Sequence, residues 1–97
     1  MQTSSPQQVV RVAKALSGEM RFRILQVIAK YSEIRCGELS AAIPEIQQAT
    51  VSHHVRILTE AGLVQVREEG PYHFFRVNRE ALREHQTTLT HLFSETT

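Results

Sequence analysis

Residues 36–64 read CGELSAAIPEIQQATVSHHVRILTEAGLV. Glu38 to Ile43 has the composition of a short helix, and Pro44 stops it, because proline lacks an N–H and its ring clashes with the preceding turn. A second helix is expected from Gln47, as its cap, to Ala61. Its apolar residues Val51, Val55 and Leu58 lie at i, i+4 and i+7 and so share one face. Gly62 stands where the end of a helix favours a left-handed residue. Turning that apolar stripe inward fixes the rest of the helix. At about 100° per residue, Ala49, His53, Arg56 and Glu60 face outward, with Thr50 and Ser52 on the shoulders. The exposed first two turns are therefore small, hydrogen-bonding and basic.

Upstream, Ser5-Pro6 is a helix start, serine as cap and proline at the first helical position. Val9, Val12, Ala13 and Leu16 follow at helical spacing, and Ser17-Gly18 breaks the pattern. A second helix is expected over Glu19 to Lys30, on Met20, Ile24, Leu25, Val27 and Ile28. Tyr31 to Cys36 reads as irregular or briefly extended. Downstream, Leu63 to Arg67 and Tyr72 to Val77 are rich in β-branched and aromatic residues and flank Glu68-Glu69-Gly70-Pro71, which is a hairpin signal. Asn78 can cap a last helix from Arg79 to about Phe93. The order is four helices, a hairpin and a fifth helix. The fold class that follows is mainly α, a winged helix-turn-helix of five helices plus a two-stranded wing.

An exposed helix start of this composition suits duplex DNA. Short hydroxyls reach phosphates or base edges, Ala49 permits close approach, and an arginine can pair with guanine or phosphate. Free backbone N–H groups at the helix N-terminus add an attraction for phosphate. The candidate DNA-binding residues are Gln47, Gln48, Thr50, Ser52, His53 and Arg56, with Arg67 and Arg76 of the wing supporting contact with the backbone.

Three segments in order also resemble the ArsR/SmtB family of bacterial repressors. Thr50-Val51-Ser52-His53-His54-Val55 with Leu58 and Ala61-Gly62-Leu63-Val64 is similar to that family's T-V-S-x-H-L-x-x-L-x-x-A-G-L-V. Leu16 to Leu25 resembles its A-L-x-D-P-T-R-x-x-I-L, and Gly70 to Asn78 its wing, G-R-x-x-Y-Y-x-L-N. The likeness runs from about residue 9 to 93. It implies a repressor that binds an inverted-repeat operator as a homodimer. Three positions depart from the pattern. Gly18-Glu19-Met20 replaces the usual Asp-Pro, Gln47 replaces a serine cap, and Pro71 after Glu68 and Glu69 replaces a basic wing tip, so weaker phosphate contact from the wing is expected.

The family's metal sites are broken here. Its cysteine pair maps to Arg35 and Gly37, with Cys36 between them, and a lone thiol chelates poorly. Its last-helix site maps to Asn78, Glu80, His91 and Ser94, of which only Glu80 and His91 are ordinary zinc ligands. No metal and no cofactor is expected, and no inducer is named by the residues.

Composition bounds the remaining classes. Ninety-seven residues suit one domain, spanning 1–97, and a core this small gains from oligomerisation. Spare apolar stripes on the terminal helices, Val9, Val12 and Leu16 on the first and Leu82, Leu89, Leu92 and Phe93 on the last, mark the expected dimer interface. The formal net charge is only +1, all ten acidic residues are glutamate, and the arginines gather in residues 11–35 and 56–83. That low charge keeps one alternative open, a winged-helix module that binds protein rather than DNA. An enzyme is not expected: aspartate is absent, and neither a nucleophile motif nor a phosphate-cradling loop is present. Met1 to Pro6 does not read as a signal peptide and no apolar run could span a membrane, which with a single cysteine points to the cytoplasm.

Overall fold

The computed structural model describes residues 5–94, with side chains as far as His91. Helix α1 spans Pro6–Leu16 and starts on the expected cap, the Ser5 hydroxyl accepting from the Gln8 N–H at 3.1 Å. Gly18, at φ 95°, breaks the chain before α2, Glu19–Ala29. Helix α3 spans Cys36–Ala42 and begins two residues earlier than expected. The Glu38 carboxylate reaches back to accept from the Arg35 N–H at 3.0 Å, which anchors the first turn.

Helix α4 spans Gln48–Glu60 with Gln47 as its N-cap. Gly62 closes it at φ 80°: its N–H donates to Thr59 O at 2.9 Å and the Leu63 N–H to Leu58 O at 3.0 Å. The hairpin is β2, Val64–Glu69, and β3, Tyr72–Val77. Pairing continues to Glu69↔Tyr72, so the connection is the two residues Gly70-Pro71 rather than four. A positive φ at Gly70 followed by proline's fixed negative φ suits a tight hairpin turn. Helix α5, Arg79–Ser94, starts where Asn78 Oδ1 accepts from the Ala81 N–H at 3.2 Å.

The sheet has one strand more than the expected wing. Strand β1, Ile34–Arg35, pairs antiparallel with β3, giving the order β1-β3-β2. Two residues carry no alternation to read. The strand forms because Ile34 is buried opposite Phe75, on the side of β3 that β2 leaves open. This tacks the wing to the helical body. The core draws on every helix from α1 to α4 and on the sheet: Val12 and Ala15; Ile24, Leu25 and Ile28; Leu39; Val51, Val55 and Leu58; and Ile34, Val64, Phe75 and Val77. Helix α4 is thereby fixed by its apolar stripe, and its opposite side is left to solvent.

Candidate nucleic-acid interface

The exposed side of α4 collects most of the expected residues. Gln47, Gln48, Ala49, Ser52, His53 and Arg56 are exposed and Thr50 is half-buried, while Val51, Val55 and Leu58 point into the core. No side chain caps the N-terminus of α4. The Thr50 and Val51 N–H groups are satisfied by Gln47 O at 2.9 and 3.0 Å. A guanidinium nitrogen of Arg56 makes a long contact with His53 Nδ1, 3.5 Å, so the two largest polar side chains of this face lie side by side.

Strand alternation sorts the wing into two faces. Val64, Val66 and Glu68 of β2 pair with Val77, Phe75 and His73 and share one face, and Phe75 and Val77 carry it into the core. Gln65, Arg67 and Glu69, paired with Arg76, Phe74 and Tyr72, share the other. Arg67 and Arg76 therefore lie together, but they are differently engaged. Among the described residues Arg76 donates to Gln65 Oε1 at 2.8 Å and makes no ion pair. Arg67 grips Glu33 with two nitrogens, 3.0 and 2.7 Å, pairs with Glu69, and lies over the Phe74 ring at 4.3 Å. Those hydrogen bonds raise the guanidinium pKa, and the same contact with Arg67 holds the Glu33 carboxyl below its ordinary range. The charge of Arg67 is thus compensated from within the chain, and its visible work is to tie the wing to the segment before β1.

A cleft of about 580 Å³ separates α4 from the inner face of the wing. Val51, Val55, Val66, Phe75 and the half-buried Cys36 line its apolar part, and the polar side chains of α4 and the wing, Arg56, Glu60, Glu68 and His73 with Ser52 and Thr59, complete the lining. His73 Nε2 lies 3.7 Å from Glu68.

Two contacts that periodicity does not reveal hold α4 in place, and a third ties α2 to α1 beside them. The Gln8 side chain donates to Ala61 O at the C-terminal end of α4, 3.1 Å away. Arg21, on α2, donates to Lys14 O at 2.8 Å and through Nε to His54 Nδ1 at 3.2 Å. His54 is half-buried and a hydrogen-bond acceptor. Burial first, then the charges of Arg21 and His53, lower its pKa below the ordinary histidine value. The one sequence-level hint was that Arg21 stands in a helix start of unusual composition.

The expected interface stripes need one correction. Val12 is 3% exposed and belongs to the core, while its neighbour Val10 is exposed. An amphipathic stripe shows which side of a helix is apolar, not whether its own chain covers it. Val9, Leu16, Leu82 and Leu89 are half-buried, and the side chains of Leu92 and Phe93 lie outside those described.

A family model described as a helix-turn-helix domain matches residues 16–67, just over half of the chain. The chain is 32% identical over 80 residues to a cadmium resistance transcriptional regulatory protein homologue of Staphylococcus aureus, a stretch covering 82% of this chain. Its fold is shared with the homodimeric winged helix-turn-helix DNA-binding domain of a possible ArsR-family regulator from Mycobacterium bovis. That match has 26% identity and TM-score 0.71 and covers 98% of this chain and 91% of the other. The chain belongs to the ArsR family of winged helix-turn-helix regulators. An ArsR-like regulator from Rhodococcus superimposes with TM-score 0.84 over 92% of this chain and 82% of its own length, at 24% identity, which speaks to fold alone. The chain spans 65% of the length of the staphylococcal relative.

For an ArsR-family chain the metal positions matter. Arg35, the N-cap of α3, and Gly37, its second residue, stand at the cysteine positions and offer no thiolate, and Glu80 and His91 lie at opposite ends of α5, roughly 16 Å apart along its axis. Among the described residues, no three His, Cys or acidic side chains group closely enough to hold an ion.

Proposed function

We propose that this chain is a sequence-specific DNA-binding regulator, a repressor that occupies an inverted-repeat operator as a homodimer in the cytoplasm. The observation that carries the reading is the exposed start of α4. It presents Gln47, Gln48, Thr50, Ser52, His53 and Arg56 on a helix clamped into the core by Val51, Val55 and Leu58, beside a hairpin braced by a third strand. A rigid support of this kind places side chains where base edges lie in a major groove. The staphylococcal relative's name as a transcriptional regulatory protein and the homodimeric state of the M. bovis domain support it. Residues 1–97 act as one unit, with α1 and α5 supplying the twofold contact that an inverted repeat requires. Arg76 supports the DNA backbone, and Arg67 does so only by giving up Glu33 or Glu69. No cofactor or bound metal enters the reading.

One observation favours a second reading. With Arg67 compensated and Glu68 and Glu69 at the wing tip, the wing offers little net positive charge, as would suit a module that binds protein. Salt-dependent binding to duplex DNA separates the two. Selection from random duplexes, followed by footprinting, is expected to return half-sites about one helical turn apart. Thr50→Ala, His53→Ala and Arg56→Ala combined should abolish the preference for the selected site. Unchanged affinity in that triple variant would show that another surface binds.

A further inference from the structure

A chain of contacts, three polar and one between imidazole rings, runs from α1 to the base-reading face. Lys14 O accepts from Arg21, Arg21 Nε donates to His54 Nδ1, the His54 ring lies 5.5 Å from that of His53, and His53 touches Arg56. Each link has a reason. Arg21 follows the Ser17-Gly18 break, where the chain turns from α1 into α2, so its fork reaches the last carbonyls of α1 and the flank of α4 together. His54 sits about 100° around α4 from His53, on the side toward α2. A guanidinium has no acceptor, so the bond to His54 requires a bare Nδ1 with the proton on Nε2.

We infer that Arg21 and His54 are positioning residues for DNA reading, a strut between α1, α2 and α4 that holds His53 and Arg56 in the orientation that recognises the operator. The inference rests on the DNA-binding reading above. The strut is sensitive to protonation. A proton on His54 Nδ1 turns the acceptor into a donor facing a guanidinium, and the contact opens. The charged and titratable groups acting on His54 are Arg21 of α2 and its neighbour His53 of α4, both basic. With burial, they disfavour a positive imidazole there, in keeping with its lowered pKa.

The test uses the whole chain and a selected operator. Arg21→Ala and His54→Ala are each expected to weaken operator binding about three- to tenfold, with affinity for non-operator duplex changed less than about twofold and the salt slope unaltered. The double variant should be no weaker than either single one, since both remove one link. His54→Asn keeps an acceptor that does not titrate. Between about pH 7.5 and 5.5 the wild type should lose affinity relative to it, His53 being common to both. In the free protein, imidazole nitrogen NMR should find His54 with a bare Nδ1, a preference lost in Arg21→Ala.

Arg21→Ala weakening operator and non-operator DNA alike, with a salt slope reduced by about one, would make Arg21 a phosphate contact and overturn the inference. So would parallel pH profiles for wild type and His54→Asn, or an Nδ1–H tautomer at His54. The tautomer measurement needs no DNA. A wild type that binds no duplex would thus defeat the functional reading separately from the strut itself.

Discussion

Arg56 and Leu58 are two residues apart on α4 and face opposite ways, so truncating each should produce opposite signatures. Leu58 is fully buried, at 0% exposure, against the core shared by α1, α2 and the sheet. Leu58→Ala removes its transfer free energy and leaves a cavity in close-packed surroundings, a cost of about 3 kcal/mol within the usual 2–5 for such sites. For a chain of this size that lowers the melting temperature by about 12–24 °C. The surviving folded molecules still carry an intact outer face, so operator affinity per folded molecule should change little. Arg56 is exposed, and its one described partner is the 3.5 Å contact with His53. Arg56→Ala should leave folding within about 0.5 kcal/mol, a few degrees at most. Operator binding should weaken by about 1–3 kcal/mol, or roughly five- to 150-fold, if it reads a base. The assay pairs thermal melts at one fixed protein concentration, since association shifts melting, with fluorescence anisotropy well below the lower melting temperature, corrected for active fraction. Two results would refute the assignment of faces. One is an Arg56→Ala melt more than about 10 °C below wild type. The other is a tenfold loss of operator affinity per folded molecule in Leu58→Ala, with none in Arg56→Ala.

Sedimentation at micromolar concentration should show a dimer, and Leu89→Glu, which places a charge on the half-buried stripe of α5, should give a monomer that binds DNA poorly; a monomeric wild type would overturn the interface. The Glu33–Arg67 contact makes a pH-dependent contribution to stability. Because the folded carboxyl is held below its ordinary value of 4.5, that contribution is present above this value and is lost as pH falls through the folded one. Melting temperatures of wild type and Glu33→Gln should therefore differ near neutrality and converge in acid, whereas a constant gap would assign the effect to packing. Low-micromolar Zn(II), Cd(II) or As(III) should not release the protein from its operator. Zinc release that disappears in His91→Ala would show a site on α5 that the arrangement within one chain does not display.

What could be read from sequence follows the range of the forces involved. The stripe Val51-Val55-Leu58, the closing Gly62, the caps Ser5 and Asn78 and the hairpin all depend on residues within a few positions, and each formed, the hairpin with a two-residue turn in place of the four expected. Strand β1 lies in the segment read only as irregular or briefly extended, and its pairing could not be read because two residues carry no period; it exists where Phe75 offers Ile34 a buried neighbour. Val12 misled because helical spacing cannot distinguish a face covered by its own chain from one waiting for a partner. The candidate site divides in the same way. The outward set on α4 follows from geometry within one helix. The engagement of Arg67 depends on Glu33, 34 positions away, and that of His54 on Arg21, 33 away. An arginine near a wing reads as a phosphate contact until its acidic partners are placed. Once they are, the proposed DNA-binding reading gives the wing a smaller electrostatic share and α4 more of the recognition. The accuracy with which α4 is held then matters more, and that is the load the Arg21–His54 strut is placed to bear.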